Sequence, residues 1–302
     1  MKYDLHSHST CSDGTYPPDQ LIHKASLAGI TMFALTDHDT VSGLCQARST
    51  AESLGVQFIN GVEISCTHAL SGGYGKHKQI NQIIHVVALD FDDVKQMDKA
   101  LQALQESRHN RGFAIIQKLG QLLGANNADH SELTELLWQK VLVKTDGNPQ
   151  AVGRAHIAQV LYELGFVPTI QSAFDKYLAD GKAAYVAIDA MNMEQAIALI
   201  HQCGGLAVLA HPTRYGLSAT RTRRLIEDFA NLKGDACELP NGEPDSLRAM
   251  VDRSIASHGL LVSVGSDFHG ENMPWRKIGS TSIPKPEQIG VWEKFGAASY
   301  TP

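Results

Sequence analysis

Cysteine is scarce: five isolated residues (Cys11, Cys45, Cys66, Cys203, Cys237) in 302, with no Cys-x-x-Cys pair. That excludes a zinc ribbon, offers no disulfide framework and suits a reducing compartment with core or spectator thiols. Basic charge is also short. Lys and Arg number 26 against 32 Asp and Glu, and the net charge of −6 argues against a protein that coats long nucleic acid with a basic stripe. A small anionic substrate stays compatible, because the field in a cleft follows nearby side chains and bound ions rather than the total. No apolar run approaches the roughly 20 residues of a membrane span. The opening Met-Lys-Tyr-Asp carries no apolar signal stretch, so the expected location is the cytoplasm, with no membrane contact. Repeats, low-complexity tracts and long linkers are missing as well. Histidine is plentiful, at fourteen residues.

Hydrophobic residues at 43%, charged residues at 19% and a mean hydropathy of −0.16 describe a soluble globular chain that can bury a sizeable core. A strand is expected near Lys2 to His6. Pro17-Pro18-Asp19 then opens a helix that runs through Ala28 and stops at Gly29. A buried strand from Thr31 to Thr36 ends in Asp37-His38-Asp39, and a helix from Ser42 to Leu54 stops at Gly55. Further strands are expected at Val56 to Ile64 and Gln82 to Leu89. Strands alternating with helices predict a mostly parallel α/β fold. From Val94 to Gly181 the pattern is helical, with segments through Arg108 and Arg111 to Leu123, Ser131 to Val143 and Gly153 to Leu164. Alternation resumes with strands at Ala184 to Ile188, Leu206 to Ala210, Asp235 to Leu239 and Leu260 to Val264. Helices at Met193 to Cys203, Thr220 to Leu232 and Pro244 to His258 separate them. The expected organisation is a barrel from residues 1–94 and 183–302 with a helical insertion, or cap, over 95–182. That insertion holds ten Lys/Arg and nine Asp/Glu, so its basic residues are free to face an anion over an acidic barrel mouth.

The polar residues are not scattered. His6, His8, His38, Glu63, His211, Asp267 and His269 fall at or just after C-terminal ends of expected strands, His85 lies inside one, and Asp13 is on the first loop. In parallel α/β barrels that edge is where active sites form. Each residue alone has an ordinary reading. His6-x-His8 could be two surface histidines, His85 a satisfied core residue and Glu63 a helix cap, while Asp13-Gly14 and Asp37-His38-Asp39 could be plain turns. Their shared position weakens all of these together. Imidazole and carboxylate suit Zn, Mn or Fe, and so many groups exceed what one ion needs, so two or three divalent ions are expected. His23, His201 and His258 on helices, and His68, His77, His109 and His130 in loops or the insertion, receive no role.

His6-x-His8, Ser12-Asp13-Gly14, Thr36-Asp37-His38-Asp39, Gly61-Val62-Glu63, His85, Ala210-His211-Pro212 and Gly265-Ser266-Asp267-Phe268-His269 together resemble the polymerase and histidinol phosphatase (PHP) family of metal-dependent phosphoesterases. Gly153-Arg154-Ala155-His156, Lys176-Tyr177-Leu178 and Gly181-Lys182 resemble the stand-alone bacterial subfamily that hydrolyses nucleoside 3',5'-bisphosphates and trims short RNA from the 5' end. The resemblance implies a distorted (β/α)7 barrel with a helical cap. It implies one metal on His6, His8, Glu63 and Asp267, a second on Asp13, His38 and His269, and a third on Glu63, His85 and His211, with Glu63 bridging. Aspartate at position 13, where many PHP proteins have histidine, shifts the preference toward Mn²⁺, with Zn²⁺ and Fe²⁺ as alternatives. Attack by a metal-activated hydroxide is the implied chemistry. Arg154 and Lys182 would take the non-reacting phosphate and Arg214 would reach the same anion. His156 would protonate the leaving oxygen, and Asp39 would orient a ligand. The implied partner is a small nucleotide or a short RNA 5' end, with no obligate protein partner. A histidinol-phosphate phosphatase and a non-catalytic nucleotide- or RNA-binding module are the alternatives. Thr213, where close relatives tend to have glycine, and the polar loop Thr67 to Asn81 depart from the pattern.

Overall fold

A computed structural model describes residues 2–71, 79–124, 130–145, 147–179, 181–271, 273 and 275–296. The chain forms two compact units, Met1–Ser9 with Gly14–Leu101 and Ala190–Pro302, and Thr10–Asp13 with Gln102–Asp189.

The first unit is built on strands β1 (Tyr3–Asp4), β2 (Met32–Leu35), β3 (Gln57–Leu70), β4 (Ile80–Leu89), β5 (Met191–Asn192), β6 (Leu206–Leu209), β7 (Ala236–Glu238) and β8 (Leu261–Ser263). Their order is β1-β2-β3-β4-β6-β7-β8, with β5 paired to β3. The path returns on itself, since Leu5 N donates to Val264 O at 3.0 Å and His8 N to Phe268 O at 2.9 Å. The fold is thus a distorted barrel. One strand corrects the parallel reading: β4 runs antiparallel to both β3 and β6. The expected polar loop shrinks correspondingly, because Thr67–Leu70 and Ile80–Asn81 pair as strand; its residues 72–78 lie outside the described residues, as does His77.

Helices α1 (Pro18–Leu27) and α2 (Leu44–Leu54) follow the first two strands. Pro18 presets the first turn of α1, Asp19 faces the positive end, and Leu21, Ile22 and Ala25 make its buried stripe. α2 ends on Gly55 in the left-handed region (φ 68°), where a side chain would be strained. Leu5, Met32, Ala34, Ile59, Val87, Leu89, Val208 and Ala236 fill one core. Each large apolar side chain fully buried there contributes on the order of 1.5–3 kcal/mol before chain entropy is counted.

Helix α3 (Val94–Leu123) begins in the first unit and continues into the second, which also holds α4 (His130–Lys144), α5 (Arg154–Glu163) and the short α6 (Ile170–Ala173). Ile115, Ile116, Leu119, Leu137, Val141, Ile157 and Leu161 pack its core. The strand expected at Ala184 to Ile188 does not form. Side chains take up its main chain instead: Arg111 Nε donates to Val186 O at 2.8 Å and Lys118 Nζ to Tyr185 O at 2.7 Å, while just past it Asp189 N donates to Ser107 Oγ at 2.9 Å. Returning to the first unit, the chain forms α7 (Met193–Gln202), α8 (Ala219–Asn231) and α9 (Asp245–His258) between the last strands. No helix of the described residues is long and apolar enough to cross a membrane.

Candidate metal centre

Glu63 is the hub. It sits in β3, is fully buried, and has five imidazoles around its carboxylate. His85 Nδ1 and His211 Nε2 each stand 2.9 Å from Oε1, while His6 Nε2 and His8 Nε2 at 3.2 Å and His38 Nδ1 at 3.0 Å surround Oε2. Asp267 closes another side, its Oδ1 3.3 Å from His8 Nε2 and 3.6 Å from both His6 Nε2 and His269 Nδ1. The His8 ring stacks on His269, with centroids 4.0 Å apart, and lies 4.5 Å from that of His38.

The strands explain this convergence. His6 and His8 follow β1 two residues apart and so face one way. His38 follows β2 and bridges to Glu63 in the parallel sense. His85 reaches the same edge from inside a strand because β4 runs backwards: it pairs with Ser65, and its carbonyl accepts from Ala210 N, one residue before His211. Asp39, His211 and Asp267 hold φ values of 54°, 24° and 52°, a region that non-glycine residues enter at a cost of order 1–3 kcal/mol and that clusters at functional sites. The glycines of the strand-end motifs are explained by crowding. A Cβ on Gly265 would overlap the Cβ of His6, one on Gly14 the carbonyl of His8, and one on Gly61 would lie 2.6 Å from Leu35 O.

The residues fit cations. His6, His8 and Asp267; His6, Glu63 and His211; and His38, Glu63 and His85 each offer ligand atoms within 4.8 Å of one another. His6 Nε2 and Glu63 Oε2 are buried and close, yet neither makes a hydrogen bond among the described residues. A buried polar atom left so costs about 1–3 kcal/mol, a cost that coordination removes. The charge balance agrees. Burial alone would raise the Glu63 carboxyl, but the imidazoles of His38, His85 and His6 outweigh it and hold it well below the usual range. Burial likewise opposes ionisation of Asp267, and His269 leads the groups that hold it low. Burial opposes a proton on His6, and the Glu63 and Glu238 carboxylates overcome it and hold His6 well above its ordinary value. These groups form a centre that takes up positive charge, as protons or as divalent ions.

Other expected residues take these places. Asp39 Oδ1 accepts from Ser65 N at 2.6 Å and its own N donates to Glu63 O at 2.9 Å, so it ties the loop after β2 to the hub strand. Arg214 donates to Asp267 Oδ2 at 2.5 Å and lies 3.6 Å from Glu243, in a turn closed over Thr213 by Arg214 N to His211 O. Asp13 belongs to the second unit and packs beside Gly153, where an added Cβ would stand 3.4 Å from the Asp13 Cβ, an ordinary contact. In that unit Arg154 opens α5, donates to Leu178 O at 3.2 Å and lies 5.9 Å from the Tyr185 ring centroid. His156 is buried, its Nδ1 accepting from Gly153 N at 3.2 Å, and Lys182 is exposed.

Sequence reasoning missed four residues. Glu238 is buried and accepts from His6 Nδ1 at 2.8 Å; its place at the end of an apolar strand was the available signal. Asp4, which burial pushes up to about 6, accepts from Ser266 N and Gly279 N. Arg276 donates to Ser266 O, and the Tyr215 hydroxyl donates to Ala210 O and accepts from His85 N. Nothing in the spacing marks these last three.

Comparison with known proteins bears on the same residues. A model of the PHP domain matches residues 4–137. A 5'-3' exoribonuclease of Haemophilus influenzae is 36% identical over 296 residues, 97% of this chain and 99% of its own. The chain belongs to the PHP family. A second PHP relative, a 3',5'-nucleoside bisphosphate phosphatase of Chromobacterium violaceum, is 32% identical over 302 residues, covering 99% of this chain and 98% of that one. A solved structure from Chromobacterium violaceum, described as an amidohydrolase with bound sulfate and no metal, shares the PHP fold with a TM-score of 0.81 at 31% identity. It covers 99% of this chain and 97% of that chain.

Proposed function

We propose that this protein is a metal-dependent phosphoesterase that removes the 3'-phosphate of nucleoside 3',5'-bisphosphates and trims short RNA from its 5' end. The observation that carries the reading is the Glu63 hub, a buried carboxylate ringed by five imidazoles beside Asp267, in a chain whose full-length relatives are a bisphosphate phosphatase and an exoribonuclease.

His6, His8, Glu63 and Asp267 would hold one ion, His38 and His269 with Asp13 a second, and Glu63, His85 and His211 a third, with Mn²⁺ preferred. Such ions supply positive charge for the phosphoryl oxygens and a nucleophile from water near neutral pH. The side chains do the rest. Glu63 would serve two of these ions, and Asp39 ties its strand to the loop after β2. Arg214 neutralises the face of Asp267 turned away from the imidazoles and presents its remaining N–H groups to an anion. Arg154 and Lys182 take the non-reacting phosphate, the first as a planar fork and the second as a point charge. His156 would protonate the leaving oxygen as an imidazolium, which requires its Nδ1 to give up the Gly153 N–H; while it accepts that N–H, its neutral ring can only donate a hydrogen bond to the oxygen from Nε2.

The test is phosphate release by Mn²⁺-loaded protein from adenosine 3',5'-bisphosphate, 5'-AMP, histidinol phosphate and a short 5'-phosphorylated RNA, with His38→Ala as control. Preference for the bisphosphate or RNA, lost in the control, is expected. Turnover of histidinol phosphate alone would replace this reading with an amino-acid biosynthetic phosphatase, and no turnover despite bound metal would replace it with a binding module.

A further inference from the structure

Every strand on the path around the first unit delivers a ligand candidate except β7: His6 and His8 follow β1, His38 follows β2, Glu63 and His85 lie in β3 and β4, His211 follows β6, and Asp267 and His269 follow β8. β7 delivers Glu238. We propose that Glu238 is the positioning residue of the metal centre, holding His6 and the main chain of His211 in the arrangement that admits a cation.

Glu238 is the last residue of β7, which pairs with β6 through Leu209 and Cys237 and with β8 through Glu238 and Ser263. It is 2% exposed, as is His6. Its Oε2 accepts from His6 Nδ1 at 2.8 Å and from the His211 main-chain N–H at 3.3 Å. A carboxylate only accepts, so the His6 proton sits on Nδ1 and the Nε2 lone pair points to the opposite side of the ring. That side is where Glu63 Oε2 stands at 3.2 Å and Asp267 Oδ1 at 3.6 Å. One oxygen therefore fixes the tautomer and orientation of one candidate ligand while fastening a second, His211, whose φ of 24° the free chain would not hold. Carboxylate partners of this kind commonly change metal affinity by roughly 10–100-fold when removed.

The inference rests on the reading that His6 holds a cation, and the experiment separates the two. Mn²⁺ binding to the full chain is measured by titration calorimetry for wild type, E238A, H6A and E238A/H6A, with thermal unfolding in chelator as a folding control. E238A is expected to weaken binding about 10–100-fold, and in the H6A background the same substitution is expected to cost only a few-fold, the remainder acting through His211. An unchanged affinity in E238A, or an equal loss in both backgrounds, overturns the inference while leaving His6 as a ligand; H6A binding as tightly as wild type overturns both. Should E238A fold poorly, E238Q and E238D carry the test. Glutamine keeps an acceptor at the same reach and is expected to bind within about tenfold of wild type. Aspartate falls one carbon short and is expected to bind more weakly than glutamine; the reverse order overturns the inference.

Discussion

Gly265 has no functional group, yet its missing Cβ matters as much to the metal centre as a ligand does. A methyl there would occupy the position of the His6 Cβ, and both lie on packed main chain that cannot yield separately. Gly265→Ala is expected to destabilise the fold by about 1–3 kcal/mol through overpacking and to weaken Mn²⁺ binding by displacing His6; urea unfolding and calorimetric titration check the two effects, and a variant that binds Mn²⁺ as wild type does would refute the coupling. A second expectation follows from protonation. Glu63 and Glu238 raise His6 well above its ordinary value, against the opposing effect of burial, so a cation must displace a proton from it near neutral pH. Apparent Mn²⁺ affinity is therefore expected to rise from pH 6 to pH 8, with proton release on binding. Equal affinities across that range, measured in buffers of differing ionisation enthalpy, would contradict it. At this scale the sequence was legible where residues combine. His6-x-His8 and Gly265-Ser266-Asp267-Phe268-His269 carry both spacing and strand-end position. Glu238 was hidden because one carboxylate ending a three-residue strand has no internal spacing to distinguish it from a cap.

Strand direction decides how His85 enters the site. Hydrophobic periodicity gave the extent of β4 to within two residues, but alternation of side chains is the same in either direction, so its antiparallel course was not legible. The strand expected at Ala184 to Ile188 failed for a related reason: β-forming composition says nothing of which donors are nearby, and Arg111 and Lys118 take carbonyls of that main chain. Just beyond the four main-chain pairs of β4 and β6, a side chain joins the two segments. The Tyr215 hydroxyl accepts from His85 N and donates to Ala210 O, both at 2.9 Å, joining the two strands beside His85 and His211. Tyr215→Phe takes this side-chain partner from two partly buried main-chain groups, at a cost of about 1–3 kcal/mol. The expected outcome is that loss in urea unfolding together with a reduced bound-metal ratio, from loosening of the His85 and His211 pair. Full metal content in the variant would show that the strand pairing alone holds these histidines.

On the scale of the whole molecule, the break in strand–helix alternation after Leu89 was legible because a 30-residue helix cannot be mistaken for a barrel crossover. The membership of Thr10–Asp13 was not, since four loop residues follow their packing partners, Gly153 among them, rather than their sequence neighbours. This division has a thermodynamic consequence. Apart from Asp13, every candidate ligand belongs to the unit made of Met1–Ser9, Gly14–Leu101 and Ala190–Pro302. A cation that binds only the folded state stabilises it by RT ln(1 + [L]/Kd), about 2.7 kcal/mol at a hundredfold excess over Kd. For a unit of this size each kcal/mol moves the midpoint by roughly 2–4 °C, so Mn²⁺ should raise it by about 5–10 °C over protein in chelator. Scanning calorimetry checks this, with Glu63→Gln as the sharper comparison. Glutamine fits the volume and keeps one acceptor but removes the charge that gathers five imidazoles, so the Mn²⁺-dependent shift should vanish in it. A full shift in Glu63→Gln would mean that the cation binds elsewhere and that the hub carboxylate serves folding alone.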